Sequence, residues 1–393
     1  MIDFWKEPNR GKIDKKKVVI IIIISILMIS IIAVSAIYIY NKDARMWIDK
    51  NILRKEISQN NLPTIEIDEG KSSKIYAYNR YISVLSNNKL EIYDGSGRKD
   101  SELQVEITKP IFNSNGRNMV IAEEKGQKLY LITGKTIAWE KTVDGNIAQV
   151  NLNQNGYVAV TLVDTSYKTV IAMFDNEGNE LFNSFFSTTR VVDVAISNDN
   201  KYLAIAELDT SGTMIQSNIK ITTIEEARKN PKNSTKKIYK GENNDLIINI
   251  EYQDKGKLLC SYTDKITIIN SDESVDKIVD YKDKKISFAS IKLSNSSMVV
   301  EEKSSGLFTA DSLVTITNSD NRSNVVYTTE SVTKEIYTKN DVIALNLGTK
   351  VEFLNTGGWL IKKYIAEQEI NDVVLSNSIA GIVYRDKVEI INL

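Results

Sequence analysis

Histidine is absent from the 393 residues, and cysteine occurs once, at Cys260. Without histidine the chain builds no Ser-His-Asp triad, no His-ligated zinc or haem site and no histidine pH switch. One cysteine excludes an internal disulfide and a thiolate zinc cluster. A charge excess is missing too: 50 Lys+Arg stand against 51 Asp+Glu. The strongly basic composition of a dedicated nucleic-acid binder is therefore lacking, and no nucleic-acid partner is expected. The 42% hydrophobic content argues against disorder throughout.

What is present begins with one long apolar run. Residues 18–40 read VVIIIIISILMISIIAVSAIYIY, broken only by Ser25, Ser30 and Ser35. At about 1.5 Å rise per residue this helix crosses the roughly 30 Å hydrocarbon layer of a bilayer. The serine hydroxyls can bond back to the helix, and Tyr38 and Tyr40 suit the headgroup boundary. Arg10, Lys12, Lys15, Lys16 and Lys17 precede the run more densely than Lys42, Arg45 and Lys50 follow it, which places the N-terminus in the cytoplasm. The expected layout is a basic cytoplasmic tail (1–17), a transmembrane helix against the lipid bilayer (18–40), a stalk helix or linker (41–62) and an exported domain (63–393). In the stalk, Ala44, Trp47, Ile48, Ile52 and Leu53 recur at spacings near three and four before Pro63. Val34-Ser35-Ala36 leaves open a cleaved signal peptide, which exports the same domain.

Beyond Pro63 helical periodicity gives way to short β-branched and aromatic runs separated by Gly, Asn, Asp and Ser, the pattern of many short strands. One apolar run recurs eight times: at 82–85, 119–122, 158–160, 203–206, 258–260, 298–300, 342–345 and 379–383. Turns precede most copies, as at Asn115-Gly116, Asn155-Gly156, Asp199-Asn200 and Lys255-Gly256. Such residues tolerate the positive φ of tight hairpins. Four antiparallel strands in about 40 residues make one propeller blade. The expected fold is all-β, an eight-bladed propeller with seven blades as the alternative, preceded by one transmembrane helix. Residues 64–68 form an extra strand, and the chain stops two strands into the eighth copy. Pairing 64–68 with 388–393 would leave no open edge.

The units IFNSNGRNMVIA and AISNDNKYLAIA, with YLITGKTIAWEKT closing another, resemble those of WD40-like, YVTN-like and quinoprotein-like β-propellers. With its basic N-terminus, single membrane helix and histidine-free repeat, the whole chain is similar to a family of membrane-anchored propellers of uncharacterised function from Gram-positive bacteria. The resemblance implies fold and layout and no activity. No Trp-Asp pair ends a strand, and only Gly134 with Trp139 shows the Gly-then-Trp docking spacing, which tells against a quinone cofactor.

Aligning the innermost strands puts Lys74, Gln149, Asp193, Asn249, Ser290, Glu335 and Asp372 in one polar column at the channel mouth, with Pro110 the exception. Asp193, Glu335 and Asp372 are the candidates to hold a hard divalent cation such as calcium through oxygen ligands. The other reading has the column bonding the backbone of neighbouring blades. The long loops 209–217 and 303–311 occupy the same hairpin position and carry Met214 and Ile215, and Leu307 and Phe308, as candidate partner contacts. A basic insertion, 225–244, is expected to be a solvated loop, or else a contact for anionic polymers or headgroups. Catalytic motifs fail: Gly134-Lys135-Thr136 lacks the earlier phosphate-loop glycine, and Glu123-Glu124 and Glu301-Glu302 point to opposite strand faces. No catalytic residue or cofactor is assigned. The expected function is a non-catalytic binding or assembly scaffold for a protein or other envelope partner, displayed by a single-pass cell-membrane protein. Alternatives are an envelope lyase, lactonase or glycoside hydrolase using channel carboxylates, and a sensor acting through its stalk.

Overall fold

The eight apolar runs are the second strands of eight antiparallel sheets, each buried on both faces, which is why they read as continuous rather than alternating hydrophobic stretches. The computed structural model describes residues 15–41, 44–45, 48–49, 52–53, 55–58, 62–68, 72–243, 245–304 and 310–393. They fall into two units, divided after Ile57.

In the first unit, α1 (Lys15–Tyr40) is continuous, and its stretch Val19–Tyr40 is long and apolar enough to cross a membrane by length and composition. Ser30 Oγ donates to the Ile26 carbonyl at 2.8 Å, closing a serine bond within the helix. Beyond it, the Tyr38 hydroxyl donates to Asp49 (2.7 Å) and accepts from Lys55 Nζ (2.9 Å). Within the expected stalk, residues 44, 45, 48 and 49 are helical, but Glu56–Ser58 is a short strand, so the helix stops short of residue 62. Arg10, Lys12 and Trp47 lie outside the described residues.

In the second unit blades 1 to 7 hydrogen-bond their strands in chain order, innermost to outermost. Blades 1 to 7 span 74–104, 110–142, 146–186, 189–243, 247–280, 286–328 and 335–365. Blade 8 takes three strands from 372–392 and its outermost strand, Thr64–Glu66, from the start of the unit. The closing ladder pairs Thr64 with Glu389, Ile65 with Val388 and Glu66 with Lys387. Ile67 N bonds the Asp386 carbonyl and Ile390 N the Pro63 carbonyl, both at 2.8 Å. Eight blades, not seven, therefore close the ring, and both ends of the repeat lie in one sheet.

Hydrophobic cores lie between blades. At the closure, Ile65, 2% exposed, packs with Ile82 and Val84 of blade 1 and Val388 of blade 8. Burying a side chain of this size stabilises by about 1.5–3 kcal/mol. Trp139, on the outermost strand of blade 2, lies with its ring centroid 5.9 Å from that of Phe174 in blade 3. Gly178 bounds the same contact, because its φ is +82° and an added Cβ would lie 2.8 Å from Trp139.

The basic insertion departs from the expected solvated loop. Ile224 and Ala227, three residues apart, are buried and anchor a short helix, α2 (Ile224–Lys229). A turn at Pro231–Asn233 follows, and then Thr235–Asn243, the outermost strand of blade 4.

Candidate functional site in the central channel and on the loop face

Innermost strands surround the channel, and one-residue bulges set where their side chains point. In blades 3, 4 and 5 the bulge falls just before Gln149, Asp193 and Asn249, which pair with Thr161, Ala206 and Ser261 at equivalent register. In blade 6 the residue after the bulge is Phe288, so Ser290 lies two residues nearer the turn. Its Oγ meets Thr338 Oγ1 of blade 7 at 2.6 Å. Lys74, Glu335 and Asp372 begin the innermost strands of blades 1, 7 and 8 and are exposed.

Asp193 is a hub joining three blades. Its carboxylate accepts from Gln149 Nε2 (2.6 Å) and Asn151 Nδ2 (2.9 Å) of blade 3, Val194 N (2.9 Å) and Ile250 N of blade 5 (2.9 Å). Burial pushes this carboxyl's pKa up, against the four donors that pull it down. The Tyr337 hydroxyl stands between Glu335 and Asp372, 2.8 Å from the latter, so these two carboxylates meet across the blade 7–8 seam. Burial, then both carboxylates, hold the phenol proton on. The three acids do not gather round one point, and among the described residues no three or more Cys, Asp or Glu side chains are grouped to hold a metal ion. Asp193 has both carboxylate oxygens turned to N–H donors.

Three charged channel residues outside the aligned column complete the site. Glu251, Lys292 and Lys339, from blades 5, 6 and 7, line a cavity of about 320 Å³ together with Asp193, Asn249 and Asn151. Glu251 lies two residues beyond Asn249, on the same strand face, so the period-two rule applied to the column would have found it. Burial raises the Glu251 carboxyl to about 7 and lowers the Lys339 ammonium to about 8. Lys339 Nζ donates to the Ser114 carbonyl of blade 2.

Loops joining second to third strands emerge on one face of the ring. There Met214 (52% exposed) and Ile215 (40%) project from blade 4. Leu307 and Phe308 lie outside the described residues. Sequence reasoning missed two further apolar groups on this face: Tyr167, in the same loop of blade 3, and Phe185, at the end of that blade's outermost strand, are both exposed, with ring centroids 4.8 Å apart. In the basic insertion Arg228 and Lys229 pair with Glu225 and Glu226, and Lys236 and Lys237 both pair with Glu273 of blade 5. Lys232 and Lys240 are exposed.

Solved structures similar in fold are β-propellers of diverse kinds. The C-terminal WD40 domain of Sif2 matches with TM-score 0.56 and 12% identity, covering 84% of this chain and 98% of that one. Sqt1 of Chaetomium thermophilum, bound to the N-terminus of the ribosomal protein L10, matches with TM-score 0.51 and 10% identity over 85% and 100%. The dihydro-haem d1 dehydrogenase NirN matches with TM-score 0.51 and 10% identity over 84% and 73%. At such identities the likeness is one of fold alone. No curated protein sequence matches the chain. A family model does match, over residues 52–393, taking in the whole ring whose closure and channel are described above, and the chain belongs to that family of unknown function, DUF5711.

Proposed function

We propose that α1 anchors the chain in the cell membrane with its N-terminus inside, and that the propeller stands outside the cytoplasm as a non-catalytic binding or assembly scaffold. The observation that carries this reading is the run of exposed apolar groups on the loop face of blades 3 and 4: Tyr167, Phe185, Met214 and Ile215. Aromatic and methionine side chains grouped on one surface are the composition of protein contacts rather than of a solvated rim. The basic flank before α1 supports the orientation. Hydrolysis or lactone opening by two carboxylates needs a facing couple with a free gap. The channel acids instead accept hydrogen bonds at blade seams or, as Glu251, face lysines, so the scaffold reading is the simpler.

The test is cross-linking in cells followed by recovery of the intact protein and of a Tyr167→Ser, Phe185→Ser, Met214→Ser, Ile215→Ser variant. A defined partner recovered with the first and lost with the second supports the scaffold. Identical partners in both, at equal protein levels, contradict it.

A further inference from the structure

Opposite charges that share a small cavity ordinarily close into an ion pair. Among the described residues, Glu251, Lys292 and Lys339 share the channel cavity and none of them is ion-paired. Lys339 turns its ammonium to the Ser114 carbonyl across the ring, and Lys292 stays exposed. The ring itself holds them apart, because each belongs to a different blade fixed by its seams. Of the other acids lining it, Asp193 is taken up by four N–H donors and Asp254 accepts from Asn295 Nδ2, so neither serves the lysines. The same wall carries Asn249, whose Oδ1 is buried without a donor. The cavity thus presents two ammoniums short of an anion and two acceptors, the Glu251 carboxylate and Asn249 Oδ1, short of donors.

A bare divalent cation would face two ammoniums, and an apolar molecule would strand every one of these groups. A hydroxylated oxyanion satisfies both sets. We propose that the channel cavity binds a small sugar anion, a sugar phosphate or sugar acid of monosaccharide size, its anionic group between Lys292 and Lys339 and its hydroxyls donating to Glu251 and Asn249. The volume, about 320 Å³, suits one ring with its charged group. Lys339, held at about 8 by burial, regains its proton beside an anion, so binding above that pH takes up protons. Glu251 and Lys292 are the charges that act on it, and Asp193, Tyr252 and Asp254 are the other titratable residues lining the cavity. This site is independent of the loop-face scaffold.

The experiment is isothermal titration of the full chain in detergent with glucose 6-phosphate, glucuronate, glucose and inorganic phosphate. Binding of either sugar anion and not of glucose is expected, with affinity falling at least tenfold in Lys292→Gln and in Lys339→Met. Proton uptake at pH 8.5 should show as a dependence of the measured heat on buffer ionisation. Glu251→Gln should lower the preference for the sugar anions over inorganic phosphate, whose own binding should be no weaker. Lys292 is exposed, so Lys292→Gln with an unaltered melting temperature separates lost binding from lost folding. No binding of either sugar anion, or equal affinity in the native protein and Lys292→Gln, overturns the proposal.

Discussion

Tyr364, on the fourth strand of blade 7, donates its hydroxyl hydrogen to Glu389 on the third strand of blade 8, and Glu389 is the residue that faces Thr64 across the closing ladder. Tyr384 and Lys387 complete the group, at 2.6 Å from Tyr364 and Glu389 respectively. The arrangement recurs one blade earlier, where Tyr327 of blade 6 donates to Glu352 of blade 7 at 3.1 Å and Lys363 lies 3.8 Å from the same carboxylate. Both glutamates are 1% exposed. A buried carboxylate survives in such a place only when donors surround it.

Removing one of those donors should therefore be costly. Tyr364→Phe keeps the ring and deletes the hydroxyl, and is expected to lower stability by about 1–3 kcal/mol. Urea denaturation of the full chain in detergent measures it. The same change at exposed Tyr167 is the control and should fall within about 0.5 kcal/mol of the native protein.

Asp193 should behave as a structural seam. Asp193→Ala leaves Gln149 Nε2 and the Ile250 amide without this acceptor and leaves Asn151 Nδ2 with only the Val194 carbonyl, and a loss of about 2–4 kcal/mol is expected. Asp193→Asn turns an NH2 toward some of those donors and should cost less than alanine while still destabilising. Stability in added calcium should change no more for the native protein than for either variant, as read by melting temperature.

The channel charges give stability a pH dependence of defined sign. Glu251 titrates at about 7 in the folded chain, against about 4.3 in an unfolded one. The folded state therefore holds the proton longer, and its stability falls as pH rises between those values. Lys339 titrates at about 8 folded, against about 10.4 unfolded, so its contribution rises with pH over that interval. Glu251→Gln should remove the falling limb, raising stability near pH 7.5 by about 1–3 kcal/mol and leaving it unchanged near pH 4.5. Thermal melts across that range check it.

Strand number and closure were legible because they rest on strong local signals. Fully buried second strands such as Leu203-Ala204-Ile205-Ala206 stand out as apolar runs, and Gly156 and Asn200 in the turns before two of them adopt φ of +83° and +60°. The polar column was legible in part, since Gln149, Asp193 and Asn249 share one register, whereas a bulge shifts Ser290 out of it. What lies between blades was not legible. Tyr364 with Glu389 is 25 residues apart in sequence, and Lys339 with Ser114 is 225. No local pattern marks such partners. The insertion misled because its lysines outnumber the two buried residues, Ile224 and Ala227, that decide its helix.

Ring closure by the N-terminal strand is the claim on which the channel, the seams and the shared loop face all depend, and a cross-link tests it most directly. Glu66 and Lys387 face each other in the closing ladder, and buried Cys260 does not compete. In a Glu66→Cys, Lys387→Cys variant, mild oxidation should yield an internal disulfide in nearly every molecule, seen as faster migration on a non-reducing gel, with a raised melting temperature. The register-shifted pair Glu66→Cys, Arg385→Cys should oxidise slowly or not at all. Equal cross-linking of both pairs, or none in the matched pair, would contradict an eight-bladed ring closed by residues 64–66.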